Sequence, residues 1–149
     1  MSVKQISLFM EHKPGSLHEI TAMLAKNNIH VRALTVAETS SELSLIRFVV
    51  DNVLWTASVL KNAGYATSFV DVIVVKFSNV PGGFDHILEI FEKANINIEH
   101  MYSLMDHKNT SPERSEEYMV FEVNDFPKAS EALNAAGIEI IKQGELADL

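Results

Sequence analysis

The sequence predicts an α+β fold made of two βαββαβ units in tandem, and two observations support this. An alternating apolar stretch, Val3–Met10, leads into Pro14-Gly15 and then into a helical pattern. The same succession returns at Ile73–Phe77, where it leads into Pro81-Gly82 and another helical pattern. Because the similarity continues through the following elements, it indicates a domain duplication.

The first copy begins with a strand and a helix. Residues of Val3–Met10 alternate between two faces, which is typical of a half-buried strand. Ser16 and Glu19 have the form of a capping box that begins a helix. We expect that helix to end near Asn27-Asn28, because asparagine tolerates the left-handed conformation common at helix C-termini.

Four further elements complete the unit. The β-branched and apolar residues of Ile29–Ala37 and Leu43–Val50 predict a hairpin of two strands. Asp51 or Asn52 can cap a short helix after this hairpin. Ala66–Val70 is predicted to be the last strand of the copy.

The second copy repeats these positions at fixed distances. An offset of 67 relates the first two strands and the first helix of each copy, and an offset of 73 relates the rest. The matched pairs include Leu8 with Val75, Pro14 with Pro81, Gly15 with Gly82, Asn28 with Asn95, Phe48 with Phe121 and Gly64 with Gly137. The six additional residues belong to the polar stretch Asp106–Glu117.

Each copy is therefore predicted to be a ferredoxin-like, or split βαβ, unit: an antiparallel sheet with two helices on one face. The expected domains are residues 1–70 and 71–149. A unit of about 70 residues has a thin core, and no flexible spacer separates Val70 from Ile73, so we expect the two units to pack side by side. Apolar residues assigned to the outer sheet faces are expected to contact another domain or subunit: Phe9, Leu34, Val49, Val72, Val74, Met101 and Val120.

Composition excludes several classes of protein. The hydrophobic content of 47% and the charged content of 21% are those of an ordinary globular protein. The absence of cysteine excludes disulfides, thiolate nucleophiles and Cys-type zinc sites. No apolar run approaches the roughly 20 residues of a membrane span, and the first residues do not lead into a signal peptide. We therefore expect a cytoplasmic protein without a membrane partner.

The charges argue against other partners. Residues 71–149 carry fifteen of the 20 Asp and Glu residues but only six of the 12 Lys and Arg residues, so all of the negative net charge of −8 lies in this half. Lys and Arg do not cluster, which argues against a nucleic-acid partner. The six histidines show no ligand spacing such as His-x3-His, so no metal or other cofactor is expected. Arg32 and Arg47 are expected to be surface charges.

The two Pro-Gly loops are the candidate binding sites. Early backbone N–H groups of a helix have no intrahelical partner and can receive a carboxylate. Gly15 and the pair Gly82-Gly83 would let a ligand approach the backbone, because no Cβ intervenes. Asn79 and Asn97 offer amide donors and acceptors.

These residues carry a family resemblance. Asn79-Val80-Pro81-Gly82, followed by a helix that ends in Ala94–Ile98, resembles the ACT domain, a small regulatory module attached to many enzymes of amino-acid biosynthesis. The first copy is similar through His12–Gly15 and Asn28–Val31. The resemblance covers essentially the whole chain as two tandem copies.

The resemblance implies regulatory binding of a free amino acid, without catalysis, at interfaces between paired units. It implies that the first strand-to-helix loop contacts the amino group and carboxylate of the ligand, and that the residue matching Asn97 contributes from a neighbouring unit. The candidate residues are Asn79, Val80, Pro81, Gly82, Gly83, Phe84 and Asn97 in the second copy, and His12, Lys13, Pro14, Gly15, Ser16 and His30 in the first.

The first copy departs from the pattern, with His12 and His30 where the second has Asn79 and Asn97. Either its loop binds a different ligand, or only the second loop binds. We expect the amino acid at the second loop, where the asparagine and the double glycine stand together.

The expected protein is thus a stand-alone tandem ACT pair that acts as a homodimer and transmits ligand occupancy to a regulated enzyme. One alternative is an interaction module that uses the apolar sheet face for assembly and does not bind a ligand. A third reading, a small hydrolase, draws on acylphosphatases, which use a similar fold with an Arg in the first loop. Neither loop here contains Arg.

Overall fold

A computed structural model describes residues 1–105 and 116–149. Its elements are β1 (Val3–Glu11), α1 (Ser16–Lys26), β2 (Val31–Glu38), β3 (Leu43–Val50), α2 (Val53–Asn62), β4 (Ser68–Ser78), α3 (Gly83–Lys93), β5 (Ile98–Ser103), β6 (Glu116–Val123), α4 (Phe126–Ala135) and a 3₁₀ helix, Gln143–Asp148. Residues 106–115, which include His107 and most of the additional polar stretch, lie outside the described residues.

The described residues form two compact units. The first unit is Lys4–Val70, and the second unit is Met1–Val3 together with Asp71–Leu149. Strand β4 was expected as two strands, one closing the first copy and one opening the second. The structure instead shows it as one uninterrupted strand, Ser68–Ser78, because the intervening residues contain no turn former. The domain limits 1–70 and 71–149 stay a prediction.

In the first unit, β3 pairs antiparallel with both β1 and β2. Ile6 lies opposite Phe48 and Leu8 lies opposite Ile46, so large apolar side chains share one face of the sheet. Helices α1 and α2 cover that face. The buried core consists of Ile6, Leu8, Ile20, Leu24, Ile29, Ile46, Phe48, Val50, Val59 and Leu60.

The second unit repeats this construction. Strand β6 pairs antiparallel with β4 and β5, and Ile73 lies opposite Phe121. The ring of Phe91 from α3 meets Phe121 edge to face at a centroid distance of 5.2 Å. The buried core is Ile73, Val75, Ile87, Phe91, Ile96, Phe121, Ala129 and Leu133. The predicted α+β class with two βαββαβ-like units is therefore confirmed.

The sixth element of the second copy differs from the prediction of a regular strand. Only isolated antiparallel bridges occur there, joining Val75 to Ile140 and Ser2 to Lys142. Because the two bridges use different partner segments, they cannot extend into one ladder. The chain then turns into the 3₁₀ helix Gln143–Asp148.

The assignment of Leu34 and Met101 to the outer sheet faces is wrong. Leu34 lies opposite the core residue Phe48, and Met101 lies opposite the core residue Phe121. Both strands have a register irregularity near their first residues. A bulge adds one residue to a strand and so exchanges its faces. The same bulge occurs in both copies.

The remaining residues that were assigned to the outer faces fall into two groups. Val49, Val72, Val74 and Val120 are buried within the chain, whereas Phe9 is 57% exposed. In the second unit, the C-terminal segment approaches this region, since the Ile141 N–H donates to the Val74 carbonyl at 2.8 Å.

Candidate ligand site at the strand-to-helix loops

The Pro-Gly loop has the same backbone in both copies. In the first loop the Ser16 N–H donates to the Lys13 carbonyl, and in the second the Gly83 N–H donates to the Val80 carbonyl, at 3.3 and 3.0 Å. The residues before them, Gly15 and Gly82, have φ of 91° and 90°. An L side chain is strained at such angles, so glycine is required for the turn itself.

The start of α1 corrects the predicted capping box. Gly15 is the N-cap, and no side chain among the described residues caps this helix. Ser16 is already helical and its side chain is buried. The Glu19 N–H donates to the Gly15 carbonyl. The left-handed glycine places the helix start one residue earlier than the capping box requires, so the serine faces inward.

Gly83 has a reason to be glycine that does not involve a ligand. A Cβ built on Gly83 would lie 2.0 Å from the Ser78 carbonyl oxygen. At Gly82 and Gly15 a Cβ would meet nothing within 4 Å. The backbone of α3 therefore packs closely on the end of β4, and open space lies beside Gly82 rather than Gly83.

Two clefts open on the first loop. We call the larger, of about 550 Å³, cleft A. Its apolar walls are Met10, Pro14, Leu17 and Val36, and its polar side chains are Glu11, His12, Lys13, Glu38 and Ser44, with Gly15 at the rim. We call the smaller, of about 280 Å³, cleft B. It is lined by Phe9, Ser16, Glu19, Leu43 and Tyr65, and shares Met10, Glu11 and Lys13 with cleft A.

An ion pair borders both clefts. The Lys13 ammonium lies 2.7 Å from a carboxylate oxygen of Glu11. Hydrogen bonding to Lys13 and its charge hold the pKa of Glu11 below its ordinary value, and Glu11 raises the pKa of Lys13 in return. Both side chains are largely exposed, so this pair contributes little to folding and remains charged near neutral pH.

Histidine 12 has protein partners in cleft A. His12 Nδ1 lies 2.8 Å from Ser44 Oγ, and His12 Nε2 lies 3.9 Å from Glu38 Oε1. Its backbone N–H donates to the Glu42 carbonyl at 2.8 Å. The imidazole therefore joins the end of β1 to β2 and β3, beside the space a ligand would occupy.

Tyr65 gives cleft B a hydrogen-bond donor. Burial and the charge of Glu19 raise the pKa of Tyr65. The tyrosine hydroxyl therefore stays protonated at neutral pH and can donate a hydrogen bond in the cleft.

His30 belongs to a different cluster, at the start of β2. Its Nδ1 lies 3.7 Å from Asp51 Oδ2 and 3.4 Å from an Arg32 guanidinium nitrogen. Arg32 Nε lies 3.7 Å from Asp51 Oδ1, and Arg32 is only 3% exposed. The expectation that Arg32 is a surface charge is therefore wrong. A buried guanidinium needs a carboxylate partner, which only the folded chain supplies.

In the second copy, the backbone N–H and carbonyl of Asn97 are both hydrogen-bonded to Asn124. The Asn97 N–H donates to Asn124 Oδ1 at 2.9 Å, and the Asn124 N–H donates to the Asn97 carbonyl at 3.1 Å. Asn97 also lines a cleft of about 400 Å³ at the C-terminal end of α3. Asn79 precedes the N-terminal end of the same helix.

Other residues of the second loop divide between surface and core. Asn79, Val80, Pro81 and Gly82 are exposed. The ring of Phe84 instead packs within the second unit, 5.4 Å from Phe77 and 6.4 Å from Phe121 between centroids. Phe84 is therefore partly buried against the core of this unit.

The described part of the chain contains no group of three or more His, Asp and Glu side chains placed to hold a metal ion. None of the helices in residues 1–105 and 116–149 has the length and apolar character that crossing a membrane requires.

Comparison with known proteins identifies the family. A family model described as an ACT domain pair matches residues 1–149. The chain belongs to the ACT domain family. This confirms the resemblance carried by the Pro-Gly loops, and it classifies the chain with a regulatory rather than a catalytic type of domain. A search of curated proteins finds no match.

Solved structures of similar fold include two of interest for this ACT domain pair. Protein BT0572 from Bacteroides thetaiotaomicron is 30% identical, with 100% of this chain and 98% of that chain covered and a TM-score of 0.87. The ligand-free regulatory subunit of aspartate kinase from Thermus thermophilus is 17% identical, with 91% of each chain covered and a TM-score of 0.65. The second similarity concerns the fold alone.

Proposed function

We propose that this ACT domain pair binds a free amino acid at its strand-to-helix loops and transmits occupancy to a regulated enzyme, as a cytoplasmic homodimer without catalysis of its own. The observation that carries the proposal is the repeated Pro-Gly turn. At the first loop, this turn adjoins two clefts that hold charges of both signs. An α-amino acid presents an ammonium and a carboxylate together and is complementary to such a surface.

The separation of Asn79 and Asn97 by helix α3 favours a binding site built from more than one unit. Asn79 and Asn97 lie at opposite ends of α3, which has 11 residues and is therefore about 16 Å long. One small ligand cannot touch both side chains of the same unit. If both contact the ligand, as the resemblance implies, a neighbouring unit or a second copy of the chain supplies one of them.

Ligand binding at such a junction also provides a route to regulation. A ligand that contacts two units stabilises the arrangement in which both contacts are made, and it shifts the population by its difference in affinity between arrangements. A regulated enzyme would respond to that arrangement. No chemistry beyond binding is required.

Titration calorimetry with the twenty amino acids tests the proposal. We expect at least one to bind with micromolar to millimolar affinity. Asn79→Ala tests the second loop and Lys13→Met tests the first, and loss of binding in either variant assigns the loop. Circular dichroism should show that both variants remain folded. Absence of binding heat with every amino acid, in titrations that carry each one well beyond millimolar concentration, would contradict the proposal.

The second candidate is an interaction module without a ligand. Its supporting observation is that Leu54 on α2 is 86% exposed and its neighbour Trp55 is 47% exposed, since contiguous exposed apolar surface often marks a protein contact. A partner enzyme that binds equally with and without amino acids, and no longer binds Leu54→Asp, would favour this candidate over the first.

A further inference from the structure

Cleft A combines two kinds of surface. Four apolar side chains form its walls: Met10, Pro14, Leu17 and Val36. Three charged side chains border it: Glu11, Lys13 and Glu38. We infer that cleft A binds an α-amino acid with an apolar side chain, with Lys13 facing the carboxylate and the two glutamates facing the ammonium. This inference rests on the proposed function and names the ligand class.

The charged residues select a zwitterion. An anion such as phosphate would meet two carboxylates for one ammonium, and juxtaposed like charges disfavour binding. A simple amine would leave Lys13 without a ligand partner. The Glu11–Lys13 pair, at 2.7 Å, is exposed, so replacing it with contacts to a ligand costs little. A zwitterion can supply both replacement contacts at once.

The apolar walls select the side chain. The cleft volume of about 550 Å³ lies within the range of roughly 300–1,000 Å³ typical of small-molecule sites. An apolar side chain placed against Leu17 and Val36 removes apolar surface from water on both partners. A charged side chain there would lose hydration without gaining an opposite charge from these walls.

The second copy provides an internal comparison. Its loop has the same backbone, but the offset of 67 places Ser78, Val80 and Met105 at the positions of Glu11, Lys13 and Glu38. The charged set is therefore absent from the matching positions. At Leu17 the second copy has Phe84, whose ring packs against Phe77 and Phe121. The backbone turn is common to both copies, whereas the charged side chains that complement a zwitterion belong to the first. This inference therefore places the ligand at the first loop, whereas the sequence led us to expect it at the second.

Calorimetry on the full chain tests the ligand class. We expect L-leucine, L-isoleucine, L-valine or L-methionine to bind at least roughly tenfold more tightly than L-glutamate or L-lysine, as expected for apolar walls. N-acetyl-L-leucine and L-leucinamide each lack one charge of the zwitterion. Each should bind at least roughly tenfold more weakly than L-leucine, because a charge-assisted hydrogen bond is lost.

Two substitutions locate the site. Val36→Asp places a carboxylate on the apolar wall and should weaken L-leucine binding by roughly tenfold or more. Val36 is 41% exposed, so the fold should tolerate the change. Leu54→Asp makes the same kind of change on α2, outside the residues that line cleft A, and should leave the affinity unchanged. Lys13→Met should weaken L-leucine binding by about as much as replacing the ligand carboxylate with an amide, as in L-leucinamide, weakens binding to the unsubstituted protein.

The results separate this inference from the proposed function. Tight binding of charged or polar amino acids only would overturn the inference and leave amino-acid binding in place. The inference would also be overturned if an apolar amino acid binds but its affinity falls only in Asn79→Ala, and not in Lys13→Met or Val36→Asp. That result would place the ligand at the second loop. If none of the twenty amino acids binds, both conclusions fail.

Discussion

Gly82 and Gly83 are adjacent in the second loop but are glycines for different reasons. Gly82 adopts a left-handed backbone conformation, at φ 90°, whereas Gly83 leaves room for the Ser78 carbonyl. The sequence shows only two glycines in a row. The distinction matters for mutagenesis, because a change at Gly82 strains the backbone whether or not a ligand binds there.

Gly83→Ala is therefore expected to destabilise the protein. Its Cβ would lie 2.0 Å from a backbone oxygen, so the loop must move, at a cost of roughly 3 kcal/mol, the upper part of the range for overpacking. Gly144→Ala is the matched control, since a Cβ there meets nothing within 4 Å, and its effect should stay within about 0.5 kcal/mol. Urea unfolding followed by circular dichroism measures both. Equal stability of the two variants would contradict the packing argument.

At the scale of elements, the two copies use the same devices at helix ends. The Asn52 Oδ1 accepts from the Trp55 N–H at 3.0 Å at the start of α2. Asp125 does the same for the Lys128 N–H, at 3.1 Å, at the start of α4. Asn28 and Asn95 both have φ of 56° after the preceding helices. The offsets of 73 and 67 therefore relate equivalent helix-end geometry as well as similar residues.

The cap of α2 predicts a measurable loss of stability. Asn52→Ala leaves the N–H of Trp55 without its side-chain acceptor and should cost about 1 kcal/mol. Asn62→Ala, at the last residue of the same helix, removes an asparagine that caps nothing at the helix N-terminus and should cost less. Thermal unfolding of the two variants provides the comparison. If Asn52→Ala melts no lower than Asn62→Ala, the capping argument is contradicted.

At the scale of the whole molecule, the proposed homodimer needs a surface for contact. Phe9 on β1 and Leu43 on β3 are both exposed apolar residues of the first unit. Both lie on the sheet face opposite the core and line the same cleft. Because neighbouring exposed apolar side chains on one face can form a patch, and such patches often mark subunit contacts, we expect this outer face to contribute to the dimer.

Sedimentation equilibrium tests this expectation. At micromolar concentration the measured molecular mass should be twice the 16.6 kDa of one chain. Phe9→Glu should shift the population toward the monomer. Leu54→Glu, a comparable change on α2, should leave the dimer intact. A monomer in the unsubstituted protein would contradict the homodimer, whereas a dimer unaffected by Phe9→Glu would contradict only the assignment of this face.

The sequence alone determined what depends on neighbours along the chain. The duplication, the glycine and asparagine turn positions and the alternation of Val3–Met10 are all local patterns, because turn geometry and strand periodicity are properties of short segments. They predicted the fold class, the family and the positions of both loops. Residue type at the loops likewise singled out His12 and Lys13 as candidates.

The tertiary structure decided what depends on residues distant in sequence. A bulge places Leu34 on the core face, Asp51 accompanies the buried Arg32, and Ser44 and Glu38 meet His12. Cleft A exists because three strand ends and the start of one helix converge there. Strand register and burial follow from long-range pairing, which hydrophobic pattern restricts but does not specify. The sequence therefore located the loop, and only the fold showed which side chains surround it.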